Sequence, residues 1–145
     1  MAITTNAICN SFKKELLEGT HNFKASGGNS FKLSLYTSSA TLGKSTTSYT
    51  TDNQVSDSGQ YAAGGSALTN AGTSLSSDTA LVDFSDLSFT GVTLTARGAV
   101  IYNDTASGDP AVCVLNFGAD KTATSGTFTV QFPAFTSSAA VIRIA

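Results

Sequence analysis

Ala99-Val100-Ile101-Tyr102-Asn103-Asp104-Thr105-Ala106-Ser107-Gly108-Asp109-Pro110-Ala111-Val112-Cys113-Val114-Leu115 holds the two most apolar runs of the chain, separated by seven residues of turn chemistry. Asp and Ser bond their own backbone, Gly reaches positive φ, and Pro fixes φ, so each favours a chain reversal for its own reason. The stretch reads as a hairpin between residues 97–103 and 111–117. Both strands carry little charge, which places them at the centre of a sheet rather than at its rim.

Working outward, Phe31, Leu33 and Leu35 alternate with Lys32, Ser34 and Tyr36, the pattern of a strand with one wet face. Similar runs fall at 80–84, 89–95, 127–132 and 140–144, punctuated by Gly, Asp and Ser at intervals of about ten residues. Six or more short strands so spaced indicate an all-β fold, an antiparallel β-sandwich or barrel. Phe31, Phe84, Phe89, Phe117, Phe128 and Phe132 lie on these runs and are expected in its core.

Residues 6–23 break the pattern and predict one short N-terminal α-helix. Ala7, Ile8, Phe12 and Leu16, with Leu17 beside them, form an apolar stripe opposite Lys13, Lys14, Glu15 and Glu18. Thr5 or Asn6 is the expected cap and Gly19 the stop. So short a helix is marginal alone, so its stripe must be covered by the sandwich or by another chain. The remainder, residues 30–145, is read as one β-sandwich, and residues 1–145 as one domain. Within it the segment 37–65 is Ser-, Thr- and Gly-rich and is a long polar loop or arm. Two readings stand: an edge hairpin on which Tyr49 and Tyr61 pack back, or an arm that orders on assembly.

The chain has 145 residues, of which 20 are Ser and 21 Thr, while charged residues make up 12% against a usual share of about 25%. Eight Lys+Arg against ten Asp+Glu give no basic surplus for nucleic acid. No apolar stretch is long enough to span a bilayer, and the start lacks the basic and apolar regions of a secretory signal. Charge is divided: residues 1–44 carry five Lys and two Glu, residues 52–120 eight Asp and one Arg. A basic end that docks on an acidic neighbour is one reading of this split, and soluble acidic turns the other.

Catalytic chemistry finds little purchase. His21 is the one histidine and has no Gly-x-Ser-x-Gly elbow or metal-ligand cluster to serve. Asp83/Asp86 and Asp104/Asp109 fall in expected turns, and Asn103 with Asp104 and Asp109 is short of the ligand set of a calcium loop. Asn103-Asp104-Thr105 matches a glycosylation sequon. Cys9 and Cys113 read as two buried free thiols, with a disulfide as the alternative. The expectation is a protein that is not an enzyme and needs no cofactor or metal.

The opening Met1-Ala2-Ile3-Thr4-Thr5-Asn6-Ala7-Ile8-Cys9-Asn10, the segment Phe31-Lys32-Leu33-Ser34-Leu35-Tyr36-Thr37, the stretch Leu94-Thr95-Ala96-Arg97-Gly98-Ala99-Val100-Ile101-Tyr102-Asn103 and the ending Ala140–Ala145 together resemble a family of small virion structural proteins of tailed bacteriophages, notably cyanophages. The resemblance implies a jelly-roll-like capsid cement or decoration protein made in the host bacterial cytoplasm. Its implied place is the outer capsid surface of the virion, and its implied partners are the major capsid protein and copies of itself in a homo-oligomer. A tail or head–tail connector ring component is the alternative, followed by a carbohydrate-binding adhesive sandwich, against which the absence of Trp stands. The expected partner contacts are Ile8, Phe12, Leu16, Leu17, Phe23, Tyr49 and Tyr61.

Overall fold

In the computed structural model, which describes residues 2–145, the hairpin at 97–117 is the inner part of a much longer one. The elements are β1 (Ala7–Ile8), α1 (Asn10–Leu17), β2 (Phe31–Tyr36), β3 (Ser66–Ala67), β4 (Asn70–Ser76), β5 (Thr79–Phe84), β6 (Leu87–Asn103), β7 (Ala111–Val130) and β8 (Ile142–Ile144). They form an all-β sandwich of a five-stranded sheet, β1-β7-β6-β2-β3, and a three-stranded sheet, β4-β5-β8, with every pairing antiparallel. Three of the pairings join sequence neighbours (β2–β3, β4–β5, β6–β7) and three join distant strands (β1–β7, β2–β6, β5–β8).

The runs at 89–95 and 97–103 are one strand, and so are those at 111–117 and 127–130, because bulges absorb what reads as turn sequence. From Gly98↔Asn116 to Ala96↔Lys121 the ladder advances two positions on β6 and five on β7. The surplus falls at Phe117–Asp120, where Gly118 takes φ 83°. Such a bulge bends and twists the strand without ending it.

Around β2 the large sheet is covered on both faces, so of the wet face expected for β2 only Lys32 stays partly exposed. Phe31, Leu33 and Leu35 share one face with Ile101 and Asn103, and Phe31 packs on Phe23 and on Phe84 of the small sheet. On the other face Ser34, Tyr36, Val100 and Tyr102 are equally buried. Their cover is the segment 37–65, so its reading as an extended arm is overturned. Val55 N–H donates to Leu35 C=O at 2.9 Å, Tyr36 Oη donates to Thr50 C=O at 2.7 Å, and Tyr49 stacks on Tyr102 at 4.7 Å. The segment holds isolated bridges, Tyr36↔Gln54 and Ser48↔Pro110 among them, but no strand before β3. Its return passes so close to β2 that a Cβ on Gly65 would lie 1.8 Å from Leu33 O, and Gly65 also has φ +88°.

The helix is eight residues long, not the eighteen of 6–23. Ala7 and Ile8 are drawn into pairing with Val114 and Cys113, and Cys9 N–H continues that edge by donating to Val112 C=O at 3.1 Å. Gly19, at φ 78°, ends the helical path, and residues 20–23 run on as irregular chain.

Candidate docking surface

The structure separates the seven expected contact residues. Phe12, Phe23 and Tyr61 are buried in the chain's own core, which corrects their reading as contacts offered to a partner. Phe12 and Phe23 meet edge to face at 5.9 Å. Tyr61 Oη accepts the Leu35 N–H at 2.9 Å and its ring abuts Phe89. Ile8 and Tyr49 are half-buried, the first paired with Cys113, the second donating its hydroxyl to Gln54 Oε1 at 2.7 Å. Leu16 is half-buried and Leu17 is 91% exposed.

His21 and Asn103 form a polar clasp inside the core. Asn103 Oδ1 accepts the Thr105 and Ala106 amides at 3.0 and 3.1 Å, which fixes its orientation. Its Nδ2 therefore donates to His21 Nδ1 at 3.1 Å and to Asn29 Oδ1 at 3.0 Å. An accepting Nδ1 places the ring proton on Nε2, which donates to Glu15 Oε1 at 3.1 Å. The clasp joins α1, the 20–29 loop and the β6–β7 turn, and it occupies the Asn103 side chain that a calcium site or a glycan there would need.

The other candidates are also structural. Asp83 is buried and accepts its neighbour's Phe84 N–H, with burial raising its carboxyl above the usual range. Asp86 accepts the Phe132 N–H at 2.8 Å, Asp104 pairs with Lys32 at 3.4 Å, and Asp109 turns the hairpin at φ 49°. Cys9 and Cys113 are free and buried, and burial pushes their thiols up to about 11 and about 12. Among the described residues no group of three or more His, Cys, Asp or Glu is placed to hold a metal ion, and no helix is long and apolar enough to cross a membrane.

What the chain leaves open is an apolar surface on the small sheet. The register Leu75↔Ala80↔Ile144 puts these three side chains in one row on one face, next to the row Thr73↔Val82↔Ile142. Leu75 is 74% exposed and Ile144 52%. Between this face and α1 runs a groove of about 450 Å³, lined by Phe12, Leu16, Lys24, Val82 and Ile142 among others. Leu16 thus borders a surface whose other part, Ile144 and its row neighbour Leu75, sequence reasoning missed, while Leu17 points to solvent outside the groove. The signal was there: Leu75 is a lone large apolar residue between Ser74 and Ser76, and nothing in its own segment accounts for it.

A second recess, about 850 Å³ and wide open, lies between residues 4–7 and 41–50 and is lined mainly by Thr and Ser hydroxyls with Lys44. It brings no acid, base or nucleophile pair together. Comparison of the chain with protein-family models, with curated proteins and with solved structures returned no significant match.

Proposed function

We propose that the chain is a non-enzymatic structural protein of a tailed-phage virion, a cement or decoration subunit that binds the outer surface of the major capsid protein shell. The observation that carries this reading is the exposed apolar row Leu75–Ala80–Ile144 beside the groove that Leu16 borders from α1. An open apolar surface rimmed by polar residues is what a protein contact uses, whereas a small-molecule site is concave with convergent polar groups. The titratable side chains that could have served chemistry are occupied in the clasp, in turns and in the buried thiols. The assignment to a virion rests on the resemblance of the N-terminal, β2, β6 and C-terminal segments to phage virion proteins.

The test is reconstitution. Wild-type protein and the double variant Leu75→Ser/Ile144→Ser are added to shells of the encoding phage's major capsid protein, and bound copies are counted by electron microscopy. These exposed positions should alter stability by no more than about 0.5 kcal/mol, so the variant stays folded. Decoration by the wild type and its loss in the variant support the reading; equal decoration by both removes the surface, and density at the tail of intact particles removes the cement role.

A further inference from the structure

The β6–β7 hairpin has two outer edges, and the fold treats them differently. Along the outer half of β6 the edge is closed by residues 58–60: Gln60 N–H donates to Thr90 C=O at 3.2 Å, Gln60 Oε1 accepts the Thr90 N–H at 3.2 Å, and Ser58 Oγ accepts the Thr93 N–H at 2.8 Å. The approach is tight enough that a Cβ on Gly59 would lie 2.0 Å from Gly91 O. The edge of β7 is closed only over its first part, where β1, Cys9 and Thr47 bond to residues 111–114 and Asn6 Oδ1 accepts the Asn116 N–H. From Phe117 to Val130 the β7 backbone pairs with β6, apart from the Gly118 N–H, which Asn116 Oδ1 accepts at 2.9 Å, and this is the longest uncovered strand edge among the described residues.

An uncovered edge is a template for one more strand. Natural edges are blunted by charge, proline and bulges, and here those devices stand at the two ends or twist the middle: Lys121 beside the Phe117–Asp120 bulge, a register shift at Thr124–Ser125, and Pro133 past the strand. Between Lys121 and Arg143 there is no charged residue at all. Alongside lies a groove of about 360 Å³ with an apolar floor of Phe117, Ala123, Phe128 and Val130, bordered by Thr127 and Thr129.

We infer that this edge pairs with the same edge of a second copy, antiparallel about a two-fold axis. Antiparallel self-pairing matches the outward N–H and C=O groups of the regular stretch 126–130 to the same strand of the partner. Residues 122–130 of the edge carry no charge and meet their own copy without like-charge repulsion, with Asp120 and Lys121 confined to the bulged start, and the formal net charge of −2 opposes association only weakly. Pairing occupies the open edge on both copies, so assembly closes at the dimer. The inference does not depend on the virion reading, because it concerns the free protein.

Sedimentation velocity over a concentration series of the full chain tests it, together with amide hydrogen exchange. Expected is a reversible dimer in which Phe117–Val130 amides gain protection as concentration rises. Thr127→Lys, at an exposed position with side-chain room, should abolish both the dimer and that protection; Thr90→Lys, on the closed β6 edge, should leave both intact. A wild type that stays monomeric throughout overturns the inference, as does a dimer that survives Thr127→Lys or is lost equally in Thr90→Lys. Protection that appears on other segments instead of 117–130 overturns it too.

Discussion

Replacing Asn103 by alanine removes the side chain on which three segments converge. Four short hydrogen bonds go with it, two accepted from the Thr105 and Ala106 amides and two donated to His21 Nδ1 and Asn29 Oδ1, besides a longer one from Nδ2 to Thr20 C=O at 3.5 Å. At about 1 kcal/mol net for each short bond, the loss is roughly 4 kcal/mol. The turn amides lie where water can replace the lost acceptor, which returns part of that, whereas the His21 side chain is wholly enclosed and its Nδ1 stays without a donor. A cost of about 3 kcal/mol is therefore expected, equivalent to about 10 °C in melting temperature for a chain of this size. Thermal and urea denaturation followed by circular dichroism measure it. Asn29→Ala should cost less, because Asn29 Oδ1 holds only the Asn103 bond and the Asn22 N–H. The double variant should cost less than the sum of the singles, since one bond is common to both. A loss below about 1 kcal/mol for Asn103→Ala, or strict additivity with Asn29→Ala, would show that the clasp is not what joins α1 to the hairpin turn.

Two further perturbations probe the cover of the large sheet and the sealed thiols. Gly65→Ala sets a methyl group 1.8 Å from Leu33 O at φ +88°, and should cost more than about 3 kcal/mol or leave the chain insoluble, while Gly43→Ala, with open space around it, should fall within about 0.5 kcal/mol of wild type in the same melts. The thiols of Cys9 and Cys113 lie above their ordinary value of 9.0 when folded, so the unfolded chain loses its thiol protons first as pH rises. Stability is accordingly full below pH 9.0 and falls as pH climbs toward about 11, and a disulfide-exchange reagent at mildly alkaline pH should react with both thiols only as fast as the protein unfolds. Rapid reaction in the native state, or a stability that is flat across that window, would contradict their enclosure.

The sequence carried the fold class through the residues that obey a single rule. The apolar runs around the 104–110 turn make the central hairpin, and the period-two pattern of 31–36 marks β2 where it lies. What it misjudged were positions where two rules meet. Ala7 and Ile8 fit a helical stripe and also fit an edge strand, and the β7 edge takes them because each residue paired there satisfies backbone groups that a frayed first helical turn would leave open. The Gly118–Lys121 stretch lies between the runs 111–117 and 127–132 that the pattern separates, yet a bulge accommodates it inside one continuous strand. The wet face of β2 was misread for a third reason: Ser34 and Tyr36 are polar enough to face water, and only the tertiary arrival of Tyr49, Val55 and Tyr61 from a segment poor in apolar residues shows that they do not. The candidate surface was half legible. Leu16 follows from helical spacing, but Leu75 and Ile144 meet only through the register of β4, β5 and β8, which no local pattern encodes.

The hydroxyl-rich composition acquires a physical meaning on the outer face of the β6–β7 hairpin. Ser88 pairs with Thr129 and Thr95 with Thr122 across the ladder, at 2.9 and 2.8 Å, and Thr93 Oγ1 accepts the Ser125 N–H at 2.9 Å. These groups are exposed, yet they already satisfy one another. A surface of lysine and glutamate would have to shed strongly held water before another protein could lie against it, and each charge left unpaired there costs far more than a hydroxyl. A face of mutually bonded Ser and Thr has much less to lose. The same substitution of hydroxyls for charges leaves residues 122–142 without a charge and makes the β7 edge compatible with its own copy. A chain built this way presents many weakly polar groups and keeps the desolvation cost of its outer faces low. That property suits the two proposed contacts, an apolar row on the small sheet for one neighbour and an open edge on the large sheet for another, and it predicts that both associations depend little on salt, unlike docking driven by the basic N-terminal end.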